Sequence, residues 1–284
     1  MKKNYENSLR EIIKEYNLKP KKKLGQNFLH DKNIISSIVN KANIEDEDVI
    51  EIGPGPGILT ESILNNKARS LLAIEKDDSF KVNLKKIRSN YRDNFDYLIN
   101  DVIDFDFKKL TKKNYKFVSN LPYNISVPFI LKMIRIRKII PWKEMILMVQ
   151  REVAERITAK INTKNYGRLS IMVNLNNDVK KLLTVKPSSF IPRPKVDSTV
   201  IKISPKNKDI NINTEIFENI VKTCFSQRRK KVKNNLDQLN INTISLLELS
   251  NIDPDVRAEN IDIEGFIRIS RNYEELIKEN YEDF

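Results

Sequence analysis

Six glycines occur in 284 residues, and three of them, Gly53, Gly55 and Gly57, fall within five positions of one another. In a glycine-poor chain that clustering marks a place where the backbone must turn tightly or approach a ligand closely. The loop reads Glu51-Ile52-Gly53-Pro54-Gly55-Pro56-Gly57. It departs from the dinucleotide fingerprint, because Ile58 stands where a third glycine would be, and it lacks the Gly-Lys-Ser/Thr of a phosphate-binding loop. Pro54 and Pro56 also remove N–H donors that phosphates would need. Close approach without a polyphosphate suits S-adenosylmethionine; a tight turn with no ligand is the bland alternative. A second group, Asn120-Leu121-Pro122-Tyr123, suits a different task. The lone pair of an exocyclic ring amine is delocalised and poorly nucleophilic. Two acceptors aimed at its hydrogens, the Asn120 side-chain oxygen and the Pro122 carbonyl, would localise that pair on nitrogen. Leu121 before proline stiffens the turn. Tyr123 offers a ring face on which an unpaired base can stack.

These residues need a frame that brings them together. Residues 48–52 read as a short buried strand running into the glycine loop, with helical spacing from Ile58 onward. Strands over 71–74, 97–99, 115–119 and 144–149 alternate with helices over 78–90, 126–138 and 151–160. Ser126 is the expected N-cap of the helix that follows the tetrapeptide. Such alternation predicts a mostly parallel sheet with helices on both faces. Glu75, at the end of the second strand, is then placed to accept hydrogen bonds from ribose hydroxyls. Asp101, at the end of the third, would face an adenine amine. Solvated acids at strand ends are the ordinary alternative for both. Strands near 179–185 and 199–203 lie too close for a helical crossover and predict an antiparallel pair at the sheet edge. Beyond a polar stretch at 204–213 only helical periodicity remains, which puts a domain boundary at about 206: a domain over 1–206 and a helical one over 207–284.

Composition narrows the function classes. One cysteine excludes a disulfide framework or Cys-rich zinc site, and one histidine excludes a His-based metal cluster, so no metal is expected. Cys224 and His30 read as structural. No apolar run reaches membrane-spanning length and the leader lacks an apolar core, which predicts a cytoplasmic protein that engages no membrane. The net charge is +13, although residues 251–284 hold ten acids and only four bases. A body this basic attracts polyanions, nucleic acid above all. The acidic stretch at 272–284 has no evident reading.

Taken together, the motifs resemble the ribosomal RNA adenine dimethyltransferases, and more closely their bacterial small-subunit branch. The matching stretches are LGQNFLHD at 24–31, EIGPGPGILT at 51–60, IEKD at 74–77, NLPYNIS at 120–126, QREVAERI at 150–157, YGRLS at 166–170, FIPRPKVDS at 190–198 and FSQRRKKVKNNL at 225–236. They follow in order over almost the whole chain. The resemblance implies a seven-stranded Rossmann-like methyltransferase sheet with a small helical C-terminal domain for RNA. It implies a monomer that acts on 16S rRNA of the small ribosomal subunit, dimethylating N6 of two adjacent adenosines in the 3′-terminal hairpin loop. It assigns Asn27, Leu29, Gly53, Gly55, Glu75, Asp101 and Asn120 to the cofactor, and Asn120 and Pro122 to the reacting amine. Tyr123 and Phe190 become two rings sandwiching a flipped base; on its own pattern Phe190 reads as a core residue. Lys22 and Lys23 in the basic leader, and Arg228, Arg229, Lys230 and Lys231, become RNA-backbone contacts, where a solvated face is the alternative. Rival readings are the same chemistry on large-subunit rRNA, a non-enzymatic RNA-binding or transcription factor of this fold, and a DNA adenine methyltransferase. The basic segment at 225–236 disfavours the first and the intact tetrapeptide the second; Leu121 disfavours the third.

Overall fold

The computed structural model describes residues 9–110, 114–207 and 209–282. It divides into two compact units, Met1–Ala154 with Val179–Pro205, and Glu155–Asp178 with Lys206–Phe284. The first carries nearly all of the sheet. Its strands are β1 (Phe28–Leu29), β2 (Asp48–Ile52), β3 (Ser70–Glu75), β4 (Phe95–Ile99), β5 (Tyr115–Asn120), β6 (Trp142–Gln150), β7 (Asn177–Val185), β8 (Phe190–Ile191) and β9 (Ser198–Pro205). Seven of these form one sheet in the order β4-β3-β2-β5-β6-β9-β7. The pairs β2–β3, β2–β5, β3–β4 and β5–β6 are parallel, and β6–β9 is antiparallel. This is the mostly parallel sheet that the alternation of elements predicts, with the seven strands that the resemblance implies.

The order of strands explains where a site can form. β2 is flanked by β3 on one side and β5 on the other, so successive connections leave its carboxyl end in opposite directions. At such a switch point the loops part and leave a crevice. The glycine loop follows β2 and the Asn-Leu-Pro-Tyr turn follows β5, one on each side of it. β2 itself is buried along its whole length, as expected of a central parallel strand covered on both faces. Helices α1 (Leu9–Glu15), α2 (Lys32–Ala42), α3 (Ile58–Asn65), α4 (Lys81–Asn90) and α5 (Ser126–Arg135) belong to this unit. Edge-to-face contacts run from Phe105 through Phe107 and Phe117 to Phe129, with centroid separations of 5.0, 6.2 and 5.8 Å. They fasten α5 and the loop after β4 to β5.

Several local expectations are corrected. Ser126 is the first residue of α5, not its N-cap; its hydroxyl donates to the Tyr123 carbonyl at 3.0 Å, and Ile125 occupies the cap position. α5 stops at Arg135, and α6 (Arg151–Ile157) is likewise shorter than its periodicity suggests. β9 lies inside the sheet between β6 and β7, leaving only β7 at the edge. β1 and β8 form a separate two-stranded ladder, pairing Phe28 with Ile191 and Leu29 with Phe190.

The second unit is helical: α7 (Arg168–Asn174), α8 (Thr214–Cys224), α9 (Val232–Leu236), α10 (Thr243–Leu249) and α11 (Ile263–Glu282). Asn213 and Asn242 cap α8 and α10 by accepting from backbone N–H groups of their first turns. Residues 155–178, placed in the first domain by a single cut at about 206, pack with this unit instead. Asn174 and Leu175 offer their carbonyls to Lys206, and Arg168 pairs with Glu218 of α8. The acidic stretch from 272 continues α11 as far as Glu282; residues 283–284, like 1–8 of the leader, lie outside the described residues. Cys224 is fully buried, which pushes its thiol pKa up and leaves it unreactive. His30 bonds through Nε2 to the Ser188 carbonyl at 3.1 Å.

Candidate active site

The crevice of the first unit is a cleft open to solvent. Asn27, Leu29, Gly53, Gly55, Glu75, Asp101, Asn120, Pro122 and Tyr123 all line it. The glycine loop and the tetrapeptide are built against each other. Gly53 has φ +68°, and a Cβ there would come within 3.0 Å of Pro122 Cδ. Gly25, at φ +66°, backs the same turn, where a Cβ would stand 2.8 Å from Asn124 Oδ1. Both positions hold a positive φ that L side chains rarely adopt, and a side chain at Gly53 would press directly on Pro122 of the Asn-Leu-Pro-Tyr turn.

The loop's own donors are spent. Gly53 N–H donates to the Ile74 carbonyl at 2.9 Å, Gly57 N–H to the Pro54 carbonyl at 3.0 Å and Gly55 N–H to Glu75 Oε2 at 3.0 Å. With prolines between them, these glycines offer a phosphate nothing. The cleft instead presents acceptors. Glu75 is 5% exposed, with Oε1 accepting from Asp77 N–H at 2.8 Å, and burial pushes its pKa up to about 7. Each of its oxygens keeps a second lone pair for a ribose hydroxyl. Asp101 accepts from Ile103 N–H at 2.9 Å and pairs with Lys76. Burial alone would raise its pKa; the Lys76 ammonium and the Ile103 N–H outweigh that and hold it below the ordinary carboxylate value. An acceptor-rich, hydroxyl- and amine-seeking wall beside close-packed glycines fits the adenosine and sulfonium of S-adenosylmethionine.

Asn120 sits half-buried at the end of β5 and donates through Nδ2 to the Asn27 carbonyl at 3.0 Å. A carbonyl only accepts, so the amide plane is fixed with Oδ1 as its acceptor end. Asn27 thus serves the site through its backbone as well as by lining the cleft. The Pro122 carbonyl already accepts from Ile125 N–H at 3.1 Å, which orients it and leaves one lone pair for a second donor. The Tyr123 ring is half-buried, and its hydroxyl shares a 2.7 Å hydrogen bond with Ser198 of β9. That bond ties the tetrapeptide to the Phe-Ile-Pro-Arg-Pro-Lys-Val-Asp-Ser segment. Phe190 differs from expectation: it is 0% exposed, packed in the core and paired with Leu29. Folded this way its ring has no open face and does not line the cleft; of the two rings expected to sandwich a base, only Tyr123 does.

Three side chains that line or brace the cleft escape the sequence reading. Glu51 lines the cleft at 1% exposure, accepts from Thr60 Oγ1 at 2.6 Å and is pushed up to about 8 by burial. Its place on a buried strand disguised it as a core position. Lys132 on α5 donates to the carbonyls of Val102, Ile103 and Phe105 at 3.2, 2.6 and 2.7 Å, fixing the loop that carries Asp101. Ser198 is the third. Among the described residues no cluster of three His, Cys, Asp or Glu side chains is arranged to hold a metal ion.

The basic groups divide. Lys22 and Lys23 are exposed on a short 3-10 turn. In the helical unit Arg228 is held by Glu259 at 2.8 Å and by the Tyr166 carbonyl, and Lys231 pairs with Asp255 at 3.1 Å. Arg229 and Lys230 are exposed and make no ion pair among the described residues. No helix among those residues is long and apolar enough to cross a membrane.

Comparison with known proteins agrees with this geometry. A family profile described as Ribosomal RNA adenine dimethylase matches residues 17–275. The chain is 36% identical over 271 residues to Ribosomal RNA small subunit methyltransferase A of Afipia carboxidovorans, covering 94% of this chain and 96% of that one. Its fold superposes on a dimethyladenosine transferase from Plasmodium falciparum with a TM-score of 0.76 and 29% identity, over 87% of this chain and 98% of that one. The 23S rRNA methyltransferase ErmE shares the fold at a TM-score of 0.64 and 21% identity, over 87% of this chain and all of that one. With its glycine loop, its Asn-Leu-Pro-Tyr turn and this match over nearly its full length, the chain belongs to the ribosomal RNA adenine dimethylase family.

Proposed function

We propose that the protein transfers methyl groups from S-adenosylmethionine to N6 of adenine in small-subunit (16S) rRNA, twice per base, at two adjacent adenosines of the 3′-terminal hairpin loop. The observation that carries this reading is the Asn120 amide, turned by its bond to the Asn27 carbonyl so that Oδ1 is the acceptor, at the edge of the glycine-lined cleft. S-adenosylmethionine supplies, when bound, a methyl activated on a sulfonium. The chain's residues do the rest. Glu75 and Asp101 hold the adenosine part. Asn120 Oδ1 and the Pro122 carbonyl accept from the two amine hydrogens and gather the lone pair on N6. Tyr123 supplies the stacking face for a base drawn out of a loop, where unstacking costs least. No strong base is needed, since the methylated ammonium loses its proton readily. The helical region, 207–284 with the packed residues 155–178, serves as the RNA-recognition part, with Arg229 and Lys230 as its most available phosphate contacts. A ribosomal substrate goes with a cytoplasmic location.

The test is transfer of tritiated methyl to small and large ribosomal subunits that lack these modifications, followed by mapping of the labelled bases. Label at two adjacent adenosines of small-subunit rRNA is expected. Label confined to large subunits, or to neither, overturns the reading.

A further inference from the structure

The leader is the part of the chain that the reaction does not explain, yet it reaches the site. Leu9 of α1 lines the cofactor cleft, and Leu9, Ile12 and Leu18 are buried in the core that packs beneath it. The chain then turns at Asn17, φ 47°, and Lys21 meets Asp77, two residues beyond Glu75. Asp77 has no side-chain exposure and gathers three segments of the site. Its Oδ1 accepts from Lys21 Nζ at 2.6 Å and from Ser79 Oγ at 2.7 Å, and its Oδ2 accepts from Gln26 Nε2 at 2.9 Å. Gln26 Oε1 in turn accepts from Lys21 N–H at 2.7 Å. The Asp77 N–H donates to Glu75 Oε1 at 2.8 Å. A second tie fixes the leader farther along: Lys86 of α4 pairs with Glu15 at 2.9 Å and lies 5.4 Å from the centre of the Tyr16 ring.

Resting on the reading of this cleft as the S-adenosylmethionine site, we propose that residues 9–21 form one of its walls. Lys21 is then a positioning residue: through Asp77 it holds both Glu75 and the Gln26-Asn27 segment in register with the cofactor. The physical basis is that a buried carboxylate needs its cation. Burial would raise the pKa of Asp77, and the hydrogen bonds from Lys21, Ser79 and Gln26 overcome this and keep it ionised, down to about 2. The charged groups facing Glu75 are Asp77, Glu51 and, one step out, Lys21. Removing the Lys21 charge leaves Asp77 unneutralised beside Glu75, which then holds its own proton more tightly. A wall that only packs has no such electrostatic consequence.

The experiment uses the full chain and S-adenosylmethionine itself, measuring affinity by calorimetry and dissociation by stopped-flow displacement between pH 6 and 8.5. Variants are Lys21→Met, Lys21→Arg and Leu9→Ala, each checked for an unchanged circular dichroism spectrum. Lys21→Met should weaken binding about fivefold, the upper end for a partly exposed ion pair. Most of the loss should come from faster dissociation, and the pH midpoint of binding should move upward. Lys21→Arg should restore both. Leu9→Ala should speed dissociation and leave the midpoint where it was. Wild-type affinity, rate and midpoint in Lys21→Met overturn the proposal, as does weaker binding with an unmoved midpoint, which is the signature of packing alone. Absence of binding by the wild-type chain would instead overturn the reading of the cleft on which the proposal rests.

Discussion

The glycine-lined cleft and the basic turn after α8 both present charged or polar side chains, but they hold them differently. In the cleft every functional group is already engaged by the protein: Glu75 by Gly55 and Asp77, Asp101 by Ile103 and Lys76, Asn120 by Asn27. A ligand meets only the remaining lone pairs, in directions set before it arrives. In the basic turn Arg228 and Lys231 are occupied by Glu259 and Asp255, while Arg229 and Lys230 are exposed and make no ion pair among the described residues. The contrast suits the chemistry proposed for each. Localising an amine lone pair tolerates little angular error, so its acceptors are fixed in advance. Attraction to phosphate needs charge and little geometry. Substitutions should therefore be severe and individual in the cleft, and mild, cumulative and salt-dependent in the turn.

The largest expected effect is at Asn120. Asn120→Ala removes the acceptor and frees the Asn27 carbonyl, and should lower single-turnover methylation at saturating RNA and cofactor by about 10²–10³, by analogy with a lost oxyanion donor. RNA binding should be unchanged. A wild-type rate would reduce the tetrapeptide to a pocket wall. Next comes Glu75→Ala, which removes two accepted hydrogen bonds as well as the ribose partner. Calorimetry should show S-adenosylmethionine binding weakened by about 1.5–3 kcal/mol, and unchanged affinity would dismiss the ribose assignment. Tyr123→Ala should lower methylation by about 1–3 kcal/mol through loss of the stacking face, with cofactor affinity intact. Tyr123→Phe keeps the ring and strands the fully buried Ser198 hydroxyl, a loss of about 1–3 kcal/mol that thermal unfolding should register.

What could be read from the sequence was whatever the backbone itself demanded. Three glycines in five residues, and a proline-stiffened Asn-Leu-Pro-Tyr, announce local geometry without help from distant parts of the chain. The strand ends at Glu75 and Asn120, and the loop just past β4 that carries Asp101, follow from short apolar runs that alternate with helical spacing. The features that stayed hidden depend on parts of the chain far apart. β1 and β8 are two residues each, too short for any period, and only their pairing shows that Phe190 is sealed against Leu29. Glu51 looks like one more member of a buried strand until the cleft opens beside it. Residues 155–178 join the helical unit through long-range packing that a single cut at a polar linker misses. Ser126 has the composition of a cap, but the turn before it bends so that its hydroxyl finds the Tyr123 carbonyl instead.

A pH experiment sharpens the account of the cleft. Burial pushes Glu75 up to about 7 and Glu51 up to about 8. Both pKa values lie above the roughly 4.3 of a free glutamate, so the folded chain holds protons that the unfolded chain releases, and stability should fall as pH rises from about 4.5 toward 8. Binding runs the other way, because the cationic sulfonium favours the ionised cleft. Affinity for S-adenosylmethionine should increase about tenfold from pH 6 to 8 if Glu75 alone titrates. Its demethylated, uncharged thioether product should show a flatter profile in the same calorimeter. Parallel profiles for the two would mean that neither acid senses the charge.

The smallest effect is expected in the basic turn, and it tests whether ion pairing there matters. Each cation that no longer neutralises a phosphate should reduce the slope of log affinity against log salt by about 0.7–0.9. Arg229 and Lys230 make no ion pair among the described residues, so replacing both by Gln should lower the slope for RNA by nearly twice that amount. Arg228→Gln and Lys231→Gln remove cations that Glu259 and Asp255 already compensate. Arg228→Gln uncovers the Glu259 carboxylate, whereas Asp255 keeps Lys233 at 2.8 Å, so affinity should fall by a salt-sensitive margin, more for Arg228→Gln, with little change in the number of counterions released. Cofactor binding should be untouched throughout, since all the cleft residues belong to the other unit. Equal slope changes from the paired and unpaired residues would show that the bridges open when RNA binds and that all four cations meet phosphate. No change from either pair would make the turn an ordinary solvated face and move the search for the RNA-binding cations to Lys22 and Lys23.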